Sequence, residues 1–91
     1  MNKKDLVVKV AQKMQVSKTD AEKIISATLE TIIDEVASGN KVQLMGFGTF
    51  EQRVRKEKTV KVPNIDKLTT VPEAKIPVFK AGKIFKDTVN Q

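Results

Sequence analysis

The chain has 91 residues, with 17 Lys and Arg residues against 11 Asp and Glu residues, so its formal net charge is +6 and its pI is about 9.7. The absence of cysteine excludes disulfides and thiolate metal sites, and the absence of histidine removes the commonest general base and metal ligand. The basic excess, most of which lies in residues 46–91, favours a polyanionic partner.

The length is that of one small domain, and we expect residues 1–91 to form it. No apolar run approaches the roughly 20 residues of a membrane-spanning helix. Asp5 and Lys9 interrupt the apolar stretch near the N-terminus, so this segment does not match a signal peptide. We therefore expect a soluble cytoplasmic protein with no membrane partner, no metal site and no cofactor.

A first helix is predicted after Asn2, which can cap it, with Asp5 placed where a carboxylate favours a helix N-terminus. A second helix is predicted from Ser17, because Ser17 and Asp20 approximate a capping box. This helix should end at residues 39–40, where a Gly-Asn pair supplies a left-handed stop. The apolar residues of the first helix recur on one face: Leu6, Val7, Val10, Ala11 and Met14.

The apolar stripe of the second helix is wider than one neighbouring helix needs. Its members are Ala21, Ile24, Ile25, Leu29, Ile32, Ile33, Val36 and Ala37. Because so short a chain offers little else to cover this stripe, we expect a second copy of the protein to cover it. Residues 1–40 are therefore interpreted as a helical dimerisation part.

Beyond residue 40 the apolar pattern changes to a period of two, which is typical of strands. Val42 and Leu44 alternate with polar residues in a first strand. Residues 46–48 form a predicted turn, and a second strand starts at Thr49 with Phe50 pointing inward.

From Gln52 onward the second strand continues but loses its apolar face. A strand without an apolar face is leaving the protein body, so we interpret residues 55–75 as a hairpin arm. Pro63 lies at the tip of this arm. Pro72 and Pro77 lie in the returning strand, where proline is expected only at edge positions.

The C-terminal segment after Ala81-Gly82 is predicted to form a helix over residues 83–89, which is too short to be stable without docking. If the arm is detached, the remaining body is too small to fold alone without disulfides or metal, which again predicts a dimer. The residues expected in the dimer core are Leu29, Ile32, Ile33, Leu44, Phe47, Phe50 and Phe79.

No arrangement of residues indicates catalysis. Asp34 and Glu35 are adjacent on a helix and therefore diverge. Residues 46–51 lack the third glycine of a dinucleotide loop and open a strand rather than a helix. No nucleophile has an accompanying base, so we expect no catalytic residues. With the phenylalanines in the core and no Trp or Tyr, a sheet that stacks single-stranded bases is also not expected.

Two blocks, KVQLMGFGTFEQRVR at residues 41–55 and IPVFKAGKIFKD at 76–87, closely resemble the HU/integration host factor family of bacterial histone-like proteins. The resemblance covers the whole chain and is closest to HU. It implies an α+β fold with two N-terminal helices, a three-stranded antiparallel sheet bearing a long β-hairpin arm, and a short C-terminal helix. It also implies an intertwined homodimer that binds double-stranded DNA in the minor groove with little sequence specificity, and that bends and compacts it in the nucleoid.

The resemblance implies that Pro63 intercalates between base pairs and kinks the duplex, since a rigid apolar ring has no N–H to leave unpaired. The chain departs from the family pattern at the tip. It carries Lys61-Val62-Pro63 where Arg-Asn-Pro is usual, and Asp66 where glycine is usual. Lysine enters a narrow minor groove less readily than arginine, so we expect weak selectivity for groove shape.

The DNA contacts expected from charge, alternation and the resemblance lie mostly in the second half of the chain. They are Lys3, Lys41, Gly46, Gly48, Arg53, Arg55, Lys56, Lys58, Lys61, Pro63, Lys75, Lys80, Lys83 and Lys86. Alternation directs Arg53, Arg55 and Lys61 to one surface. Gly46 and Gly48 have two interpretations, a turn that needs positive φ or backbone amides that meet a phosphate. Lys3 and Lys41, like Lys18, could contact flanking phosphates or serve only solubility.

Two other functions compete with this interpretation. In the first, the arm adds a strand to the sheet edge of a protein partner, although edge lysines resist such pairing. In the second, the basic arm binds double-stranded RNA through the same electrostatics. A stoichiometric partner recovered after nuclease treatment would favour the first. Competition between matched DNA and RNA duplexes would decide the second.

Overall fold

The structure is a computed structural model that describes residues 1–61 and 68–91. Its elements are α1 (Lys3–Met14), α2 (Lys18–Ala37), β1 (Val42–Leu44), β2 (Gly48–Arg55), β3 (Lys58–Lys61), β4 (Leu68–Val71), β5 (Ala74–Ala81) and α3 (Lys83–Val89). This order confirms the predicted α+β class. The chain forms two compact units, residues 1–34 and 35–91. That residues 1–91 form one domain stays a prediction.

Helix α1 begins at a complete capping box. The Asp5 N–H donates to the Asn2 side chain at 3.0 Å, and the Asn2 N–H donates to the Asp5 carboxylate at 3.4 Å. The helix ends at Gln15, which adopts the left-handed conformation at φ 55°. Asn2 and Asp5 were both identified from the sequence, because short polar side chains satisfy the free N–H groups of a first turn, whereas Gln15 was not predicted.

In the first unit, α1 and α2 pack around the small cluster Val7, Ala11 and Ala21, with Val10 and Ile25 against it. Ser17 accepts the N–H of Asp20 at 3.0 Å, which confirms it as the residue that caps α2. The rest of the predicted α1 face, Leu6 and Met14, stays exposed.

The C-terminal end of α2 belongs to the second unit. Gly39 has φ 90°, in the left-handed region that glycine adopts without strain. The Gly39 N–H donates to the Val36 carbonyl and the Asn40 N–H to the Glu35 carbonyl, both at 3.0 Å. These bonds satisfy two of the last helical carbonyls, and the predicted stop at residues 39–40 is confirmed.

A three-stranded antiparallel sheet in the order β1-β2-β5 dominates the second unit. Strand β2 begins at Gly48, one residue earlier than predicted, and Phe50 lies opposite Val42 on one side and Phe79 on the other. Pro77 lies in β5, which is an outer strand of this sheet, the position at which proline is tolerated.

Strands β3 and β4 form a second, two-stranded antiparallel sheet, the arm sheet. Arg55 pairs with Ala74 in the first sheet and Lys58 pairs with Val71 in the arm sheet. Two residues therefore interrupt each strand, so the register is kept and no bulge is present here. The predicted hairpin arm is confirmed, while Pro63 and the rest of its tip lie outside the described residues.

Large apolar side chains are exposed along α2, and the buried core is small. Ile24 is 63 % exposed, Leu29 43 % and Ile33 65 %. The buried apolar residues among those described are Val7, Ala11, Ala21 and Val36, none of them large. Within residues 1–61 and 68–91, no helix combines the length and apolar composition that a membrane crossing needs.

Candidate nucleic-acid interface

The two faces of the three-stranded sheet differ in chemistry, because successive residues of a strand point to opposite sides. On the aromatic face, the ring centroids of Phe50 and Phe79 lie 4.7 Å apart and those of Phe47 and Phe79 5.4 Å apart. Phe85 of α3 joins them at 5.3 Å from Phe47. These separations are typical of packed aromatic pairs. The rings contact one another, and Phe47 and Phe79, which were predicted to lie in the dimer core, remain partly exposed in the single chain.

Gly48 lies against this aromatic cluster, and one of its two interpretations, a turn that needs positive φ, is wrong. Of the two turn glycines only Gly46 has a positive φ, at 80°. A Cβ at Gly48 would lie 2.5 Å from the Lys80 carbonyl oxygen and 2.6 Å from the Phe79 ring. Glycine is therefore needed at 48 for close approach of strand β5, and not for the turn. Gly48 is also buried, whereas Gly46 is exposed.

The turn at Gly46 lies beside the start of α3. The Phe47 N–H closes the turn on the Leu44 carbonyl at 3.0 Å, and the Gly82 N–H donates to the Phe47 carbonyl at 2.8 Å. Because Gly82 is the residue that precedes α3, these bonds bring Gly46 and Lys83 to the same end of the sheet. Two of the residues predicted to contact DNA thus lie at the same end of the sheet.

The opposite face of the sheet, the basic face, carries Arg53 and Arg55, both exposed in alternate positions of β2. Lys80 lies on the same face, because it pairs with Thr49, which alternates with them. Lys75 does not, since it pairs with Val54 and therefore lies on the aromatic side. The sheet thus brings Arg53, Arg55 and Lys80 onto one surface and separates Lys75 from them.

A carboxylate lies among these cations. Lys80 Nζ is 2.8 Å from one Glu51 oxygen, and Lys41 Nζ is 3.5 Å from the other. The hydrogen bond from Lys80 lowers the pKa of Glu51; desolvation acts in the opposite direction, and the charges of Lys80 and Lys41 lower the pKa further. Glu51 was not predicted as a functional residue, although it lies in the block of residues 41–55. The register of β1, β2 and β5 would have placed it beside Lys41 and Lys80.

The interruption between the two sheets carries one contact of its own. Arg55 Nη2 lies 3.5 Å from the Pro72 carbonyl oxygen across the two strands. Proline has no N–H for a ladder at this point, which accounts in part for the break. Arg55 is therefore placed where the three-stranded sheet ends and the arm begins.

The matching family is described as "Bacterial DNA-binding protein", and its model matches residues 1–90. The chain belongs to this family. It is 45 % identical over 89 residues to DNA-binding protein HU of a Nostoc species, covering 98 % of this chain and 95 % of the relative. DNA-binding protein HU of Clostridium pasteurianum is 43 % identical over 91 residues, covering all of both chains.

Solved HU structures share the fold. A co-crystal structure of Anabaena HU with DNA superposes with a TM-score of 0.91 at 45 % identity, covering 98 % of this chain and 97 % of the other. HU from Thermotoga maritima superposes with a TM-score of 0.70 at 37 % identity, covering 98 % of each chain. The resemblance stated from residues 41–55 and 76–87 is thereby confirmed.

Within this HU-like fold, the remaining predicted contacts belong to elements other than the three-stranded sheet. Lys56 lies in the interruption, and Lys58 and Lys61 occupy opposite positions in the alternation of β3. Lys86 lies in the last turn of α3, and Lys3 lies in the first unit, where it donates to Ser26 Oγ at 2.8 Å. Lys61 keeps the same position in the alternation as Arg53 and Arg55. That these residues contact DNA stays a prediction, and so does a common surface for the three.

Proposed function

We propose that the protein is a histone-like DNA-binding protein that binds duplex DNA as a homodimer, with little sequence specificity, and bends and compacts it. The observation that carries this proposal is the basic face of the three-stranded sheet, whose two long strands are followed in the same register by the strands of the arm. Family membership supports it, as does the DNA bound to a relative 45 % identical in its co-crystal structure.

The chemistry of the basic face suits phosphate rather than base recognition. Arg53 and Arg55 are exposed, always charged and placed at the start of the arm. Such contacts bind through the phosphate backbone and carry no sequence information by themselves. The phenylalanine rings pack against one another, so they are not arranged as a platform on which single-stranded bases stack.

The homodimer is supported by the exposed apolar surface. Ile24, Leu29 and Ile33 line one helix of a chain that buries few apolar residues among those described. Leu44, Phe47 and Phe79 are each about two-fifths exposed in the single chain. Because 91 residues without disulfides seldom stabilise so much exposed apolar surface alone, a second copy is the covering we propose, intertwined with the first.

Pro63 is proposed to be the intercalating residue, with the arms in the minor groove. Pro63 lies outside the described residues, and the chemistry of proline supports this role. A pyrrolidine ring is rigid, apolar and free of an N–H donor, so inserting it loses little entropy and leaves no polar group unpaired. Unstacking a base step costs a few kcal/mol, which the extra contacts of a bent duplex offset.

Catalysis and metal binding are not part of the proposed function, and its cellular location is the nucleoid. We infer no catalytic activity, because the family is one of DNA-binding proteins. Among the described residues, no group of three or more acidic, histidine or cysteine side chains could hold a metal ion. A DNA-compacting protein of a bacterial family is placed in the cytoplasm, on the nucleoid.

The salt dependence of binding tests the proposal as a whole. If the dimer neutralises roughly six to ten phosphates, the slope of log K against log salt should be about −5 to −9. The measurement is a titration of a fluorescent duplex of arbitrary sequence at several salt concentrations. A slope near zero, or a monomer in sedimentation, would contradict the proposal. Stronger competition by a matched RNA duplex would replace it with RNA binding.

Pro63→Ala tests the intercalation. The variant should lose bending, measured by energy transfer between dyes at the two ends of a duplex, more than it loses affinity. It should also lose most of the preference for nicked or cruciform DNA over intact duplex. Pro77→Ala, the same change in strand β5 of the body, is the matched control and should bend DNA like the wild type. Equal bending by all three proteins would exclude the wedge.

A further inference from the structure

A negative charge in the middle of the basic face stands out, because DNA phosphates would be repelled by it. The Glu51 side chain is 13 % exposed, whereas those of Lys41 and Lys80 are 72 % and 61 % exposed. The carboxylate therefore lies beneath the two ammonium groups and not beside them. Glu51 is thus largely buried against the sheet, unlike an ordinary exposed surface carboxylate.

The register of the sheet explains why these three residues meet. Thr49 pairs with Lys80 and Glu51 with Val78, so Lys80 is the diagonal neighbour of Glu51 on the same face. Val42 pairs with Phe50, so Lys41, the residue before β1, falls opposite Glu51 on the other flank. Diagonal and opposite neighbours are within reach of long side chains. One residue of the central strand thus bridges both outer strands.

We propose that Glu51 is an internal counter-ion of the DNA-binding surface. It holds the ammonium groups of Lys41 and Lys80 on the basic face and cancels one of their two charges. The three side chains then present a net charge of +1 to DNA instead of +2. This inference rests on the proposed function, and Glu51 is in it a positioning residue that contacts the binding lysines rather than DNA.

The physical consequence follows from how cations bind DNA. Each phosphate neutralised by a protein cation releases condensed counterions, and this release sets the salt dependence of binding. A carboxylate fixed beneath two lysines cannot be released when a phosphate arrives, so one lysine charge yields no counterion release. Glu51 therefore weakens the hold of DNA on the three-stranded sheet while keeping both lysines in place.

The test is Glu51→Gln, which keeps the shape and hydrogen-bonding capacity of the side chain and removes its charge. Because the homodimer carries two copies of the change, binding to a duplex should become about 25-fold to 100-fold tighter near 0.1 M salt, and the slope of log K against log salt should steepen by about 1.8, which is about 0.9 for each subunit. Glu51→Asp keeps the charge and should keep the wild-type slope.

Glu57→Gln is the matched control. Glu57 is exposed in the interruption before the arm sheet and makes no ion pair among the described residues, so its removal changes net charge equally without freeing a lysine. The slope should change clearly less than in Glu51→Gln. Equal changes in the two variants would show a general charge effect and overturn the inference. Weaker binding by folded Glu51→Gln would also overturn it.

Thermal unfolding of each variant shows whether it is folded. If Glu51→Gln does not fold, the same step is measured in a Lys80→Gln background, so that both members of the 2.8 Å pair are neutral in the double variant. Adding Glu51→Gln to Lys80→Gln should then steepen the slope by about 1.8 for the homodimer. An unchanged slope in this background would reject the inference.

The failure of the proposed function and the failure of this inference can be told apart. If the wild type itself shows no salt-dependent binding, the proposed function fails. If only the variants behave otherwise than expected, the inference alone fails.

Discussion

The three-stranded sheet and the arm sheet share one register but differ in what covers them. In the first, the Phe50 and Phe79 rings pack on one face and Glu51 binds two lysines on the other. In the arm sheet, Leu68 is 69 % exposed, and Val60 and Val71 are only half-buried. The same register is therefore resumed, after the interruption, in a segment that few side chains cover.

The difference shows that pairing alone does not make a stable sheet. A two-stranded hairpin is at best marginally stable in water, and three or more strands with an apolar face are needed for independent stability. The arm sheet has neither, so its order depends on its attachment near Arg55 and Pro72 and, in the proposed function, on DNA. Side-chain burial should thus control stability in the body, and charge should control function in the arm.

The largest effect is expected from Phe79→Ala in the body. Its ring contacts Phe50 and Phe47, and the proposed second copy of the chain covers its exposed part. We expect a loss of about 3–5 kcal/mol in the free energy of unfolding, the cost for a buried phenylalanine. The measurement is denaturant unfolding at one fixed protein concentration, since a dimer's stability depends on it.

Leu68→Ala in the arm sheet is the counterpart of this change. Leu68 is exposed, so its truncation should alter the free energy of unfolding by less than about 0.5 kcal/mol. A loss below about 2 kcal/mol for Phe79→Ala would argue against a partner that covers the aromatic face. A large loss for Leu68→Ala would contradict the uncovered arm.

The next effect concerns Gly48, where strand β5 leaves no room for a side chain on β2. In Gly48→Ala the new Cβ would lie 2.5 Å from the Lys80 carbonyl oxygen, which cannot move without displacing the strand. Overpacking of this kind costs about 1–3 kcal/mol, measured as a lowered melting temperature. Gly46→Ala is the matched control. Its Cβ has space, and the cost of its positive φ is about 1 kcal/mol. The reverse order of the two melting temperatures would refute this account of Gly48.

Local chemistry made much of this fold predictable from the sequence. Asn2, Ser17 and Gly39 act through bonds to residues at most a few positions away, so their roles can be inferred without a tertiary structure. The change of apolar period at residue 40 likewise separates helices from strands. The loss of the apolar face after Gln52 indicated the arm for the same local reason.

Features that depend on contacts between distant residues were not predictable in this way. The clash that requires Gly48 comes from Phe79 and Lys80, about thirty positions along the chain. The approach of Lys41 and Lys80 to Glu51 requires the register of three strands. Alternation placed Arg53 and Arg55 correctly on one face. It could not place the interruption after Arg55, where the ladder stops on both strands.

The smallest effect is expected in the pH dependence of the melting temperature, which Glu51 of the three-stranded sheet should change and Glu57 beside the arm should not. The pKa of Glu51 is lower in the folded protein than its ordinary value of 4.5, because Lys80 donates a hydrogen bond to it. A carboxyl with a lowered pKa contributes stability above pH 4.5 that is lost as pH falls through the folded value. Melting temperature should therefore fall below pH 4.5 more steeply in the wild type than in Glu51→Gln. The effect is small, because the two lysines are exposed to solvent.

Glu57→Gln, in the uncovered region beside the arm, is the control and should follow the wild-type curve of melting temperature against pH. If Glu51→Gln also followed it, the ion pairs on the basic face would not contribute to stability.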